Sequence, residues 1–413
     1  MKKHILFLFL FISFNVNFSI NSHAQWVCLD TVSYYIEDIA TSDGNIYLCV
    51  LYSGFNISSD SGYTFQPSNT GLPNLFPRKV IARDSLLILA TDNSIYKSIN
   101  HGGMWTLASY GLPDPYDCTI NDIMFRGDSI LLATWGSGVY CSLDFCETWF
   151  PINNGLIGSS YASLFANGNR LFVGSYYEIY FGSAIYVSDD NASTWIPKST
   201  GIPFYYPNQY PIITDFEKVG QTLFASTEGC NVLRSENNGE SWLRKNTPCS
   251  TIVKLLSVNN DLICGTSGFG IIKSEDNGNS WSYINEGFDM PQDGSFYALC
   301  KFGPYIYAGS LSGKIFRRPI SELATSTPEL FNKITCVVSP NPISNVSRII
   351  LANSARDKYS LEIFNIVGQC VLKSFGLDDN ELVLRKSDFH PGHYIFRVSG
   401  GKQAAIFGKF IVN

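Results

Sequence analysis

The sequence predicts an all-β protein: a seven-bladed β-propeller followed by a small C-terminal β-sandwich. Three observations support this prediction: the composition, an internal repeat, and a change of pattern after residue 320. The chain has 34 Gly, 23 Tyr and 29 Phe among 413 residues, which is typical of strands and tight turns. A motif recurs about every 40 residues, the period of propeller blades. No long stretch with helical apolar spacing follows residue 25.

The first 24 residues have the features of a cleaved signal peptide. Lys2 and Lys3 precede an apolar run at 5–12, which is too short to span a bilayer, and the small-x-small site 22–24 would leave Gln25 as the first mature residue. A membrane anchor or a buried strand is the alternative. Because no later segment is long and apolar enough to span a membrane, we expect no transmembrane segment in the mature chain.

Charge and cysteine content exclude some classes of partner. The net charge is -6, without the clustered Lys and Arg of a nucleic-acid surface. The 11 cysteines are scattered, and no C-x-x-C pair suggests a zinc site. Cys49 and Cys264 fall where other repeats have alanine, which predicts small buried core residues. A disulfide Cys141–Cys146 or Cys230–Cys249 stays open.

Six copies of the pattern Ser-x-(Asp/Asn)-x-Gly-x-(Thr/Ser)-aromatic form the repeat. They are SSDSGYTF (58–65), SINHGGMW (98–105), SLDFCETW (142–149), SDDNASTW (188–195), SENNGESW (235–242) and SEDNGNSW (274–281). Met104, Cys146 and Ala192 depart from the pattern. The Asp or Asn side chain suits a hairpin turn, Gly supplies positive φ, and the aromatic residue begins the next strand. A calcium loop is the alternative, but no copy ends in the Glu such a loop needs. We therefore expect neither a metal nor a cofactor.

Two further strands precede each motif, and this pair occurs seven times. The second strand of each pair is apolar and ends in a small residue: 45–49, 86–90, 130–134, 170–174, 222–226, 261–265 and 305–309. The last unit ends after a third strand at 314–318, without a motif. Since Trp26 begins a segment similar to the fourth strands, we expect it to complete the last blade and close the ring over residues 25–320.

These motifs resemble the boxes of Asp-box (BNR-type) propellers, a group that includes sialidases, xyloglucan-cleaving glycoside hydrolases, sortilin-like receptors and a photosystem assembly factor. The resemblance covers residues 26–320 and implies the fold. It does not imply a function, because these families share a scaffold and differ in their sites.

A linker, 321–333, leads to a different pattern in residues 334–413. Pro340-Asn341-Pro342, the stretch EIFNIVGQ (362–369) and HPGHYIFRV (390–398) occur there in order. They resemble the type A sorting domain of the type IX secretion system of Bacteroidetes. The resemblance implies contact of 334–413 with the type IX machinery and a secreted or outer-membrane surface location. The alternative is an adhesive β-sandwich unrelated to export.

Catalytic motifs are scarce in the sequence. H-E-x-x-H, G-x-S-x-G and the P-loop are absent, and His101 is the one histidine of the predicted propeller. The sequence therefore favours a non-catalytic module that binds glycan or protein ligands. An extracellular glycoside hydrolase or lyase of the Asp-box type is the alternative.

Two groups of residues are candidate ligand-binding sites. Alignment of the innermost strands places Asp38, Asp122 and Asp215 at one position, with Val80, Ser163, Lys254 and Ala298 in the other blades. The three aspartates bind a ligand in the central channel or are hydrogen-bonded parts of the scaffold.

The second group is aromatic and lies in loops on the face opposite the boxes. Its members are Trp135, Tyr176, Tyr177, Tyr180, Phe204, Tyr205 and Tyr206. We expect a ligand platform near blades 3 to 5. Alternatively, these rings pack on each other to hold long loops.

Overall fold

The structure is a computed structural model that describes residues 25–32, 34–113, 118–176, 182–205, 207–229, 231–290 and 292–323, and then 336–339, 342–343, 346–351, 359–365, 369–377, 381–400 and 403–412. The chain divides into two compact units, Met1–Ala324 and Thr325–Asn413. In the described residues the regular structure is strands with two single 3₁₀ turns, Ile320–Glu322 and Lys386–Asp388. The predicted all-β class is confirmed.

The first unit consists of seven four-stranded antiparallel sheets, numbered here as blades 1 to 7. Blades 1 to 3 contain β2 (Ile36–Ser42), β3 (Asn45–Val50), β4 (Gly54–Ser58) and β5 (Gln66–Pro67); β6 (Pro77–Arg83), β7 (Leu86–Thr91), β8 (Ile95–Ser98) and β9 (Thr106–Leu107); and β10 (Thr119–Arg126), β11 (Ser129–Trp135), β12 (Val139–Ser142) and β13 (Phe150–Pro151). Blades 4 to 6 contain β14 (Tyr161–Asn167), β15 (Arg170–Ser175), β16 (Ile185–Ser188) and β17 (Ile196–Pro197); β18 (Ile213–Val219), β19 (Thr222–Thr227), β20 (Val232–Ser235) and β21 (Leu243–Lys245); and β22 (Ile252–Val258), β23 (Asp261–Thr266), β24 (Ile271–Ser274) and β25 (Ser282–Tyr283).

Blade 7 combines the two ends of the unit. It contains β26 (Phe296–Phe302), β27 (Tyr305–Ser310) and β28 (Lys314–Pro319), and its outer strand is β1 (Val27–Thr31). The indole nitrogen of Trp26 donates a hydrogen bond to the Ile284 carbonyl over 2.6 Å, and the Trp26 ring is 1% exposed. The innermost strands contact one another around a full circle, from β2 through β26 and back to β2. The predicted seven blades and their closure by Trp26 are confirmed.

The boxes are hairpin turns held by their own side chains. In blade 1, Ser58 Oγ accepts the Gly62 N–H over 2.9 Å, and Asp60 Oδ1 accepts the Thr64 N–H over 3.0 Å. The Thr64 backbone N–H, together with the hydroxyl groups of Ser58 and Thr64, lowers the pKa of Asp60 to about 2. Cys146 and Ala192 take the place of Gly62 with φ of 70° and 64°, so both accept a left-handed conformation. The box is therefore a scaffold element.

The blades pack through apolar side chains of the middle strands and the box aromatics. Five box aromatics and Trp26, which holds the equivalent position in blade 7, are nearly buried: Phe65, Trp105, Trp149, Trp195, Trp242 and Trp26. Cys49 and Cys264 are fully buried, as predicted, and burial raises the pKa of both thiols. Cys141 and Cys146 are both free thiols, so no disulfide joins them.

The second unit contains two antiparallel sheets. One consists of β29 (Cys336–Ser339), β30 (Val346–Leu351) and β33 (Glu381–Arg385), and the other of β31 (Tyr359–Asn365), β32 (Cys370–Leu377), β34 (Gly392–Gly400) and β35 (Gln403–Val412). Leu384 of the first sheet joins Leu361, Ile363, Phe396 and Phe410 of the second in one buried cluster. The unit is thus a small β-sandwich.

Candidate functional site

The central channel of the propeller is lined by one ring of residues, one from each innermost strand. The register places Asp38, Lys79, Asp122, Ser163, Asp215, Lys254 and Ala298 at equivalent points. Lys79, opposite Ala90, therefore holds the position that the sequence alignment assigned to Val80, and that assignment was wrong. The same register shift lies near the start of every innermost strand, so the seven positions stay equivalent, and in blade 2 it is Lys79 and not Val80 that pairs with the small residue Ala90.

Each aspartate of this channel ring is hydrogen-bonded to the next blade. In each case, one carboxylate oxygen accepts the backbone N–H of the residue that directly follows the ring position of the next blade. The bonds are Val80 N–H to Asp38 (3.0 Å), Leu164 N–H to Asp122 (2.8 Å) and Leu255 N–H to Asp215 (2.9 Å). The aspartates therefore join blades 1 to 2, 3 to 4 and 5 to 6. A ligand role for Asp38, Asp122 and Asp215 stays a prediction beside this structural role.

Three acidic and two basic side chains share the channel ring with Ser163 and Ala298. Lys254 Nζ lies 3.0 Å from Asp215 Oδ2. Burial alone would lower the pKa of Lys254, but the attraction of Asp215, Asp38 and Asp122 outweighs it and raises the pKa. Burial raises the pKa of Asp122 to about 6, against the opposing effect of Lys79 and Lys254. The ring is thus a nearly balanced set of buried charges.

A cavity of about 370 Å³ opens above the ring, at the channel mouth on the face that carries the aromatic loops. We call it the funnel. Each blade contributes the residue before its ring position, namely Glu37, Arg78, Asn121, Ala162, Thr214, Val253 and Tyr297. Lys79 and the loop residues Tyr176, Glu228 and Ser267 also line it. The funnel thus receives side chains from all seven blades.

The funnel is polar and its charges balance. Two acidic residues, Glu37 and Glu228, face two basic residues, Arg78 and Lys79. Burial raises the pKa of Glu37, while Arg78 and Lys79 act against the rise. Arg78 forms an ion pair with Asp92 at its outer side. Such a site can bind a ligand that offers many hydrogen-bonding groups and little net charge.

The structure places the predicted aromatic residues in different surroundings. Tyr176 lines the funnel, and Trp135 is 51% exposed at the end of β11. The Phe204 ring centroid lies 4.6 Å from that of Tyr210. Tyr177, Tyr180 and Tyr206 lie outside the described residues. The aromatic platform therefore stays a prediction, and Phe204 also has the packing role of the alternative.

Tyr205 packs closely against a neighbouring loop. A Cβ atom added at Gly229 would lie 2.1 Å from the Tyr205 ring, so that ring covers the glycine. This contact fits the alternative in which aromatic rings hold the long loops, although 39% of Tyr205 is exposed.

Sequence reasoning missed most of the funnel. Glu37, Arg78 and Tyr297 each directly precede a channel-ring position, and this relation was a usable signal. Glu228 lies in a short loop after β19, where the sequence offered no comparable pattern. In the described part of the chain, no group of three or more His, Cys, Asp or Glu residues is placed to hold a metal ion. The same residues contain no helix that is both long and apolar enough for a membrane span.

Comparison with known proteins gives a family match for the second unit and fold matches that cover most of the chain. Residues 337–413 match the secretion system C-terminal sorting domain. A structure of YCF48 bound to D1 peptide is similar at 16% identity and a TM-score of 0.56, covering 72% of this chain and 97% of that chain. No curated protein matches the chain.

Two longer bacterial proteins also have a similar fold. PorZ, a surface component of the type IX secretion system of Porphyromonas gingivalis, is 12% identical with a TM-score of 0.51, over 92% of this chain and 59% of that chain. The GH74 xyloglucanase of Xanthomonas campestris is 13% identical with a TM-score of 0.54, over 79% of this chain and 59% of that chain. At these identities the likeness shows the fold alone. The chain is a β-propeller followed by a C-terminal type IX sorting domain, which implies interaction with the secretion machinery and export to the cell surface or extracellular space.

Proposed function

We propose that the propeller is a non-catalytic binding module and that its ligand, a glycan or a peptide, enters the funnel. The observation that carries this proposal is the funnel itself, in which one residue from every blade meets at a cavity of about 370 Å³. Small-ligand sites are concave, and convergent polar groups fix the orientation of the ligand. We also infer that residues 1–24 direct the chain into the export route as a signal peptide.

The engagement of the channel carboxylates supports binding over catalysis. A glycosidase needs one carboxyl that donates a proton and a second carboxylate on the other side of the scissile bond. Asp38, Asp122 and Asp215 already accept backbone N–H groups that join the blades. These bonds give the three carboxylates a structural role in joining the blades, which accounts for their position without a catalytic role.

A glycoside hydrolase or lyase is the second candidate, and one observation favours it. Glu37 has a raised pKa, as a general acid requires, and Glu228 lines the same funnel. The two glutamates come from blades 1 and 5, which lie three positions apart around the ring. In this candidate, Glu37 would protonate the leaving group and Glu228 would act as the base or nucleophile.

Two measurements on the same purified chain separate the two candidates: ligand binding, and the release of reducing ends from polysaccharides. We expect polysaccharides or peptides from a screening panel to bind without release of reducing ends. Arg78→Ala should weaken binding at least tenfold, because this guanidinium lines the funnel. Arg126→Ala is the matched control, since Arg126 bonds Asn191 and the Asn169 carbonyl in blade 4. If the chain releases reducing ends and Glu37→Gln abolishes this release, the result would contradict a purely binding role and establish the hydrolase.

A further inference from the structure

Tyr52 occupies a backbone conformation that the corresponding loops give to glycine. It lies between β3 and β4 with a φ of 63°. The equivalent positions in blades 3, 5 and 6 are Gly136, Gly229 and Gly268, with φ of 96°, 86° and 91°. The left-handed region is unfavourable for a bulky side chain, and such outliers are concentrated at functional sites. The fold at this point requires no side chain, yet the sequence places a tyrosine there.

The Tyr52 ring belongs to an exposed aromatic group from three separate segments. Its centroid lies 5.5 Å from that of Tyr34 and 5.3 Å from that of Phe76, both edge to face. The exposed fractions of Tyr34, Tyr52 and Phe76 are 48%, 55% and 36%. We call these three residues the rim cluster. The rings order one another and still present surface to solvent, as expected of a preformed binding surface.

The rim cluster adjoins the funnel along the chain. Phe76 lies two residues before Arg78, and Tyr35, which is also half exposed, lies two residues before Glu37. Arg78 and Glu37 both line the funnel. Glu37 and Arg78 are the second residues of β2 and β6, and these two strands are in contact. The aromatic surface and the polar cavity are therefore neighbours on one face, at blades 1 and 2.

We propose that the rim cluster and the funnel form one extended site for a neutral oligosaccharide. This inference rests on the proposed binding function and names its ligand class. The apolar C–H face of a sugar ring can lie on Tyr52 and Phe76, while its hydroxyl groups bond the carboxylates and guanidinium of the funnel. Because two acidic and two basic residues line the funnel, the site favours a ligand without net charge.

A peptide fits this face less well. A peptide that binds by strand addition gains its affinity from backbone hydrogen bonds to an unpaired strand edge. Here the Val80 N–H on the inner edge of β6 already donates a hydrogen bond to Asp38. Side chains likewise join the inner edges of β10, β14, β18 and β22 to neighbouring blades, so these edges are partly occupied. The recognition surface consists of side chains, which suits sugar rings.

Calorimetric titration of the full purified chain with cellohexaose, laminarihexaose and mannohexaose tests the inference. We expect at least one hexasaccharide to bind, and Tyr52→Gly and Phe76→Ala each to weaken that binding at least tenfold. Tyr52→Gly should keep the melting temperature of the parent chain or raise it, because glycine suits a φ of 63°. Tyr110→Ala is the matched control, since Tyr110 is a 78% exposed tyrosine whose backbone carbonyl accepts the N–H of the box residue Trp149. It should leave binding unchanged.

The outcomes separate the inference from the proposed function. If Arg78→Ala weakens hexasaccharide binding and Tyr52→Gly leaves it unchanged, the rim cluster is not part of the binding site, and the proposed role of the funnel stands. Binding that only Tyr52→Gly weakens would overturn the funnel as the binding site. If no hexasaccharide binds while an octapeptide does, the ligand class is wrong, and if neither binds, both proposals are wrong.

Discussion

Removal of Trp26 should open the propeller at blade 7. The ring is 1% exposed and its indole N–H donates to the Ile284 carbonyl over 2.6 Å. Truncation of a buried Trp to Ala costs about 3–5 kcal/mol, and the lost hydrogen bond adds about 1 kcal/mol. The residues of β1 are exposed or half-buried, so besides the backbone pairing with β28 and the packing of Leu29, Trp26 is the main buried anchor of this segment. We therefore expect Trp26→Ala to lower the free energy of unfolding by about 4–6 kcal/mol.

Trp149→Ala is the matched control for this prediction. Trp149 is 4% exposed and donates to the Ala108 carbonyl over 2.8 Å, so the packing and the hydrogen bond that it loses are similar. The ring closure, however, stays intact in that variant. Chemical denaturation followed by circular dichroism gives the free energies, and hydrogen exchange of residues 314–319 reports on the edge of β28. A loss below about 1 kcal/mol in Trp26→Ala, with unchanged exchange in β28, would refute closure by Trp26.

Two further predictions concern buried polar groups. The indole N–H of Trp242 has no partner among the described residues, so Trp242→Phe should leave the free energy of unfolding unchanged or raise it. Trp149→Phe removes a hydrogen bond and should lower the free energy of unfolding by about 1 kcal/mol. Equal losses in the two variants, measured by chemical denaturation, would contradict this prediction. The pKa of Asp122 in the folded state is about 6, whereas the usual value is about 4. Because the folded state therefore binds the proton more tightly than the unfolded state, the free energy of unfolding should fall as pH rises from 4 to 6, by roughly 3 kcal/mol at most. Asp122→Asn should remove this fall, and an unchanged pH profile in the variant would contradict the assignment.

The blades and their closure could be predicted because each rests on a local pattern. The box needs Ser, Asp or Asn and a left-handed residue at fixed spacing, and Trp26 repeats the aromatic position of the boxes. The register of blade 2 was misassigned because the similarity of the innermost strands aligned Val80 with Asp38, whereas the small residue Ala90 pairs with Lys79 as Cys49 pairs with Asp38.

The candidate site was harder to predict because it depends on the closed ring. Tyr34, Tyr52 and Phe76 come from three loops that meet only when β1 has joined blade 7 and blade 1 lies beside blade 2. The unusual φ of Tyr52 is a backbone property that composition does not reveal. Tyr176 was predicted from aromatic composition and does line the funnel.

Hydrogen–deuterium exchange of the full chain, with and without the hexasaccharide that binds most tightly, tests the central claim most directly. If the funnel and the rim cluster bind the ligand, protection should appear in residues 34–38, 51–54 and 76–80, and in the loop around Glu228. The box turns 58–65 and 142–149, on the opposite face, should exchange as before. Protection of the box turns with no change at the channel mouth would contradict the account.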